Sequence, residues 1–184
     1  MFRIGVVQEA EAEGPVAEVY AQMKQGMGMV PNVIKSLSLW PEALQGYTNL
    51  LNTVLFSTSR LSRGTKEMIA AHVSNLNRCG YCVGHHRNFM VQFGVPPETA
   101  EGIVENFASA SITDAERRLL DYAGQITREA YRVTDGQVEE LKEVGWTDTQ
   151  ILEATLVAYL FNDVNRFADA LGVQPEMMDE SMSR

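Results

Sequence analysis

Apolar residues recur at helical spacing along most of the chain, and polar or glycine breaks cut the pattern into segments. After an extended, acidic lead-in over residues 1–14, Pro15 suits a first helical turn, and Val16, Val19, Tyr20 and Met23 follow on one face until Gly26 and Gly28. Val33, Ile34, Leu37 and Leu39 predict a second helix from Pro31 through Trp40. Leu44, Tyr47, Leu50, Leu51, Val54 and Leu55 predict a long third one behind Pro41. Ser62 is placed to cap a fourth helix carrying Met68, Ile69, Ala71, Val73 and Leu76, in which Ala70 and Ala71 allow close packing. Asn77 is placed to cap a fifth, from about Arg78 to Phe93, and a sixth runs from Pro97 through Phe107. Thr113 and Thr134, with Glu116 and Gln137 three residues on, read as two capping boxes. Thr147 opens a last long helix that Gly172 closes, and 174–184 reads as a polar tail. No convincing strand pair breaks this rhythm. The expected fold is all-α, an antiparallel array of eight or nine helices in a single domain over 1–184.

Length and charge narrow the function classes. A chain of 184 residues is long enough for a real core, and 24 acids against 15 bases give a net charge of −9. That balance argues against a nucleic-acid or anionic-membrane partner. The apolar start Met1–Val7 is stopped by Gln8 and Glu9, too short for a secretory leader, and no run is long enough for a bilayer. A cytoplasmic location is the expectation. The nine methionines read as core and interface filler.

The chemistry concentrates in Glu67–Met90, which holds both cysteines and all three histidines. Cys79 and Cys82 form a C-x-x-C pair, and His86 follows Cys82 by four residues. At about 100° per residue these three side chains fall within roughly 60° of one helix face. His85 lies on the other side of Cys82, so His86 is the better imidazole partner. A thiol near a helix N-terminus, with Arg78 and His86 adjacent, meets the conditions that favour a thiolate. Three readings stay open: a redox dithiol; a zinc site of Cys79, Cys82 and His86 with Glu67 or His72 as fourth ligand; or two buried, inert thiols. Glu67 alone reads as a helix-start charge, and His72 as a core residue. Tyr81 is either a hydrogen-bonding relay or the wall of a pocket. Gly80 and Gly84, four apart on one helix, suggest that a neighbouring helix or a substrate approaches closely.

Glu67, eleven residues, Cys79, two residues, Cys82, three residues, His86: this pattern resembles the alkylhydroperoxidase D-like branch of the carboxymuconolactone decarboxylase superfamily. The run from Leu61 to His86 also looks like the peroxidase-related members of that branch, and Tyr159–Arg166 is similar to their final core helix. Tyr81 departs from the founding motif, which has a histidine there. The resemblance implies a thiol peroxidase. Cys82, assisted by His86 and Glu67, would reduce a small hydroperoxide, Cys79 would resolve the product as a disulfide, and an external dithiol of lipoyl type would regenerate the pair. It implies no cofactor, no resident metal, and a homo-oligomer, trimeric or hexameric. The alternatives are a non-catalytic zinc-binding or redox-sensing protein and a decarboxylase-type enzyme of the same superfamily.

Overall fold

The structure, a computed structural model, describes residues 2–176. Nine α-helices and no strand occur among them: α1 Gly14–Met27, α2 Asn32–Lys35, α3 Pro41–Leu51, α4 Arg63–Leu76, α5 Gly80–Gln92, α6 Pro97–Glu105, α7 Asp114–Glu129, α8 Asp135–Glu143 and α9 Asp148–Leu171. The all-α expectation holds. Most of the expected polar tail lies outside the described residues.

The predicted punctuation works as physical capping. The Ser62 hydroxyl accepts from the Thr65 N–H at the start of α4, and both threonine capping boxes are formed, Thr113 with Glu116 and Thr134 with Gln137. Two predicted helices are shorter than their apolar pattern. The second is a single turn, Asn32–Lys35, followed by looser turns to Trp40. The third leaves α geometry at Asn52, where the chain makes a π-helical turn through Phe56 and so widens the ring of backbone bonds by one residue.

The residues group into two compact units. One is built from residues 2–50 and 167–176. Its lead-in is tied down by the Val7 N–H donating to Ser38 Oγ at 2.8 Å, by the Tyr20 hydroxyl donating to the Val7 carbonyl at 2.9 Å, and by Glu9 bridging Lys24 and Lys35. Val16, Val19, Tyr20 and Met23 of α1 are buried, as their spacing predicts. Arg3 reaches the other stretch of the unit, donating to the Ala170 carbonyl at 2.8 Å, and Tyr47 meets Phe167 edge-on.

The second unit, 51–166, is organised around α4, which packs against α5, α6 and α7. An ordinary amphipathic helix buries one stripe. In α4 every residue from Lys66 to Ser74 is buried, so this helix has almost no solvent face. Ala70 and Ala71, fully buried, allow neighbouring helices to come close on two sides. That packing places the polar residues of α4 inside the protein, where each requires a partner.

Candidate functional site

Glu67 is the residue whose burial has to be explained, because its carboxylate is wholly inaccessible in the middle of the second unit. Two side chains meet it. Oε2 lies 2.5 Å from His86 Nδ1, across from α4 to α5, and Oε1 accepts from Arg63 Nε, one turn back on α4, at 2.5 Å. Burial pushes the Glu67 carboxyl up. The charge and hydrogen bond of His86, followed by those of Arg63, overcome that and hold it below the usual carboxylate range. Glu67 is thus an ionised, double-bonded acceptor, and both its oxygens are engaged. The His86 ring is fixed further by Phe161 of α9, 4.4 Å away and nearly perpendicular, and by Phe89 at 5.7 Å. With Nδ1 committed to a carboxylate, the remaining nitrogen, Nε2, is the one suited to exchange a proton with a thiol.

The junction that delivers the cysteines differs from the expectation. Asn77 does not cap α5; it ends α4. The Arg78 N–H returns to the Asn75 carbonyl and the Cys79 N–H to the Ser74 carbonyl, both at 3.0 Å, which is a Schellman ending. The residue in the left-handed position of that motif is Arg78, at φ 60, rather than a glycine. The motif absorbs the residues expected to start the helix, so α5 begins only at Gly80 and Cys79 is its N-cap. Cys79 therefore stands just before the first turn, and Cys82 within it. Both are buried, and they are not bonded to one another.

Asparagines of α9 hold this junction in place. The Asn77 amide donates to Asn162 Oδ1 at 3.0 Å and to Asn165 Oδ1 at 2.9 Å, and Asn165 donates to Ser74 Oγ at 3.0 Å. Another α9 residue, Glu153, anchors the loop before α4 by accepting from Ser59, Arg60 and Leu61. Burial raises the Glu153 pKa, but those backbone and hydroxyl donors bring it below the ordinary value. Lys66, almost fully buried, donates to the Ser57 carbonyl at 3.0 Å, and burial lowers its pKa against the opposing charge of Glu153.

Of the residues expected to act, Glu67 and His86 are brought into direct contact, with Cys82 one turn before His86 on the same helix. Tyr81 is buried with its ring 4.6 Å from that of His85. His72 does not join them: its ring packs on Phe107 at 4.3 Å, beside Gly124 and Arg128. Among the described residues no group of three or more His, Cys, Asp or Glu side chains is placed to hold a metal ion. The close approach expected at Gly80 and Gly84 is not made among the described residues. A Cβ at either would meet nothing within 4 Å, so the glycines leave the outer side of α5 bare. Arg63, Phe161 and the α9 asparagines were not anticipated. The four-residue step from Arg63 to Glu67 is the one sequence signal that could have pointed to the first of them.

The sequence model described as the carboxymuconolactone decarboxylase family matches residues 41–125, which include Glu67, Cys79, Cys82 and His86. A curated alkyl hydroperoxide reductase of Mycobacterium tuberculosis is 34% identical over 106 residues; that is 57% of this chain and only 30% of the relative. Among solved structures, an uncharacterised peroxidase-related protein of Ralstonia eutropha JMP134, with an alkylhydroperoxidase AhpD core, matches with a TM-score of 0.89 at 25% identity, over 95% of this chain and 92% of that one. A peroxidase-related protein of Silicibacter sp. TM1040 matches with a TM-score of 0.83 at 30% identity, over 93% and 92%. Among the described residues, no helix is long and apolar enough to cross a membrane.

Proposed function

We propose that this chain, which belongs to the carboxymuconolactone decarboxylase family in its alkylhydroperoxidase D-like, peroxidase-related branch, is a thiol peroxidase working through Cys79 and Cys82. The observation that carries the reading is the buried Glu67–His86 pair, positioned one helical turn beyond Cys82. An imidazole oriented by an ionised carboxylate is a general base. Nothing about a packing histidine calls for a buried carboxylate at its Nδ1.

In the proposed cycle His86 Nε2 takes the proton of Cys82, and Glu67 stabilises the imidazolium through Nδ1–H. The Cys82 thiolate attacks the distal oxygen of a small hydroperoxide. The O–O bond breaks, Cys82 becomes a sulfenic acid, and the alkoxide leaves as an alcohol with the proton from His86. Cys79 then attacks the Cys82 sulfur. The hydroxyl of the sulfenic acid leaves as water, taking the Cys79 proton, and a Cys79–Cys82 disulfide forms. Its two electrons are restored by an external dithiol through exchange, a lipoyl-type dithiol by analogy with the family. Glu67 thus acts through His86 rather than on a cysteine directly. Homo-oligomeric assembly remains part of the proposal; the exposed Leu152, Leu156 and Tyr159 on α9 give a second copy an apolar stripe to cover.

The test is intact mass with thiol counting before and after one equivalent of an organic hydroperoxide. Loss of two hydrogens and both thiols, abolished in Cys82→Ser, is the expected result. Thiols that persist under those conditions overturn the reading.

A further inference from the structure

We infer that Arg63 is a positioning residue of this site: its guanidinium, stacked on Phe56 and Phe93, is the fixed positive charge that keeps the Glu67–His86 pair ready to accept the Cys82 proton. The inference rests on the peroxidase reading for its catalytic meaning, but not for its electrostatics.

The location of Arg63 is the first argument. It is the first residue of α4, where the helix dipole disfavours a cation, and the first turn contains no acid to offset it. Helix stability therefore does not explain an arginine here. The second is how it is held. Its guanidinium carbon lies 4.5 Å from the centre of the Phe56 ring and 4.6 Å from that of Phe93. Phe56 ends the π-helical turn, and Phe93 stands at the C-terminal cap of α5. Gly64 makes room for this arrangement, since a Cβ there would stand 3.0 Å from the Phe93 carbonyl oxygen. Chain segments on both sides of the site thus converge on one guanidinium whose Nε is bonded to Glu67.

The other charged groups nearby are committed elsewhere. Lys66 is directed to the Ser57 carbonyl, and Glu153 of α9 to the Arg60 and Leu61 N–H groups. Arg63 is the cation bonded to the Glu67 carboxylate, opposite His86. A fixed positive charge lowers the proton affinity of every group around it. Removing it makes the Glu67–His86 pair hold its own proton to higher pH, and it weakens the thiolate at Cys82. Both changes move the reactive form in the same direction.

Arg63→Gln and Arg63→Lys test this through a pH profile that needs no peroxide: the rate at which iodoacetamide alkylates Cys82, located by peptide mass. In Arg63→Gln the midpoint should move up by about one pH unit, which is about a tenfold loss of rate on the acid side. Arg63→Lys should restore most of it. The acid limb of hydroperoxide-driven thiol loss should move in parallel. A midpoint unchanged in Arg63→Gln, or a rate lowered equally at every pH, overturns the inference. If Arg63→Gln does not fold, as judged by circular dichroism, Phe93→Leu keeps the charge and loosens the stack; it should shift the midpoint the same way by a smaller amount, and no shift overturns the inference. If the wild-type protein fails to react with hydroperoxide while the alkylation profile shifts as expected, the peroxidase reading falls and the electrostatic role of Arg63 stands.

Discussion

Two buried histidines on adjacent helices of one unit, His72 on α4 and His86 on α5, are treated in opposite ways. His86 and His72 each pack a ring against a phenylalanine, Phe161 at 4.4 Å and Phe107 at 4.3 Å. The difference is the partner at Nδ1. His86 has the Glu67 carboxylate there, whereas Nδ1 of His72 has no hydrogen-bond partner among the described residues. His72 also faces a cation, Arg128. Burial, helped by that charge, brings its pKa down to about 4, so it is a neutral imidazole at any ordinary pH. The pair teaches that burial by itself produces an inert histidine. In the proposed cycle a buried carboxylate is what makes the same side chain a proton-transfer group.

The largest effect should come from breaking the partnered side. Glu67→Gln keeps the shape and removes the charge, and should slow hydroperoxide-driven thiol loss by about 10²-fold or more, measured by stopped-flow thiol titration. His72→Phe should leave that rate within about a factor of three of the wild type. A large kinetic loss in His72→Phe would erase the contrast.

Acid stability separates the two next. Unfolded, His72 binds a proton near its ordinary value of 6.5; folded, only near 4. Between those values the unfolded chain holds more protons, so stability falls as pH drops from about 6.5 to about 4, by about 3 kcal/mol in all. Urea unfolding across that range should show the slope, and His72→Phe should flatten it. Glu67 has the opposite signature. Its folded pKa is depressed below 4.5, so its contribution is complete above that value and is lost only as pH falls further, through the folded pKa. Glu67→Gln should remove the second, more acidic slope and leave the first.

A smaller effect is expected at Gly124. A Cβ there would stand 3.2 Å from His72 Nε2 and 3.0 Å from an Arg128 nitrogen. Gly124→Ala should cost about 1–2 kcal/mol of stability in thermal or urea unfolding, with little change in thiol reactivity. The smallest is at the junction on the His86 side. Arg78 occupies a left-handed position at φ 60, where α4's Schellman ending would ordinarily place glycine. Arg78→Gly should gain about 0.5 kcal/mol, because relief of strain slightly exceeds the added freedom of the unfolded chain. If the gain comes with slower thiol oxidation, the arginine is retained for the site rather than for the fold.

Much of this was legible in the residues. Helix starts were written in side chains that bond their own backbone, so Ser62, Thr113 and Thr134 were placed correctly. Helix ends were harder. Val54 and Leu55 keep a helical rhythm through a π-helical turn that apolar spacing does not reveal. Asn77 misled because an asparagine suits both the end of one helix and the start of the next, and the Arg78 backbone decided between them. The candidate site divides the same way. Cys82 and His86 share one helix, so their relation could be read from spacing, whereas Cys79 precedes that helix as its N-cap in an extended conformation. Arg63 is one turn from Glu67, but its stacking depends on Phe56 and Phe93, which lie on other segments. Phe161, Asn162 and Asn165 are remote in sequence, and only the fold brings them to the site.

The two-unit division also sets an order of events on the ribosome. Residues 51–166 are contiguous, so that unit has all its parts once Arg166 has emerged. The other unit joins 2–50 to 167–176, and its Arg3 N–H donates to the Leu171 carbonyl at 2.9 Å. Residues 2–50 therefore cannot complete their unit until 167–176 have been made. Until then Arg3 lacks the Leu171 and Ala170 carbonyls and Tyr47 lacks the Phe167 ring, so this unit closes only after the contiguous one has all its parts.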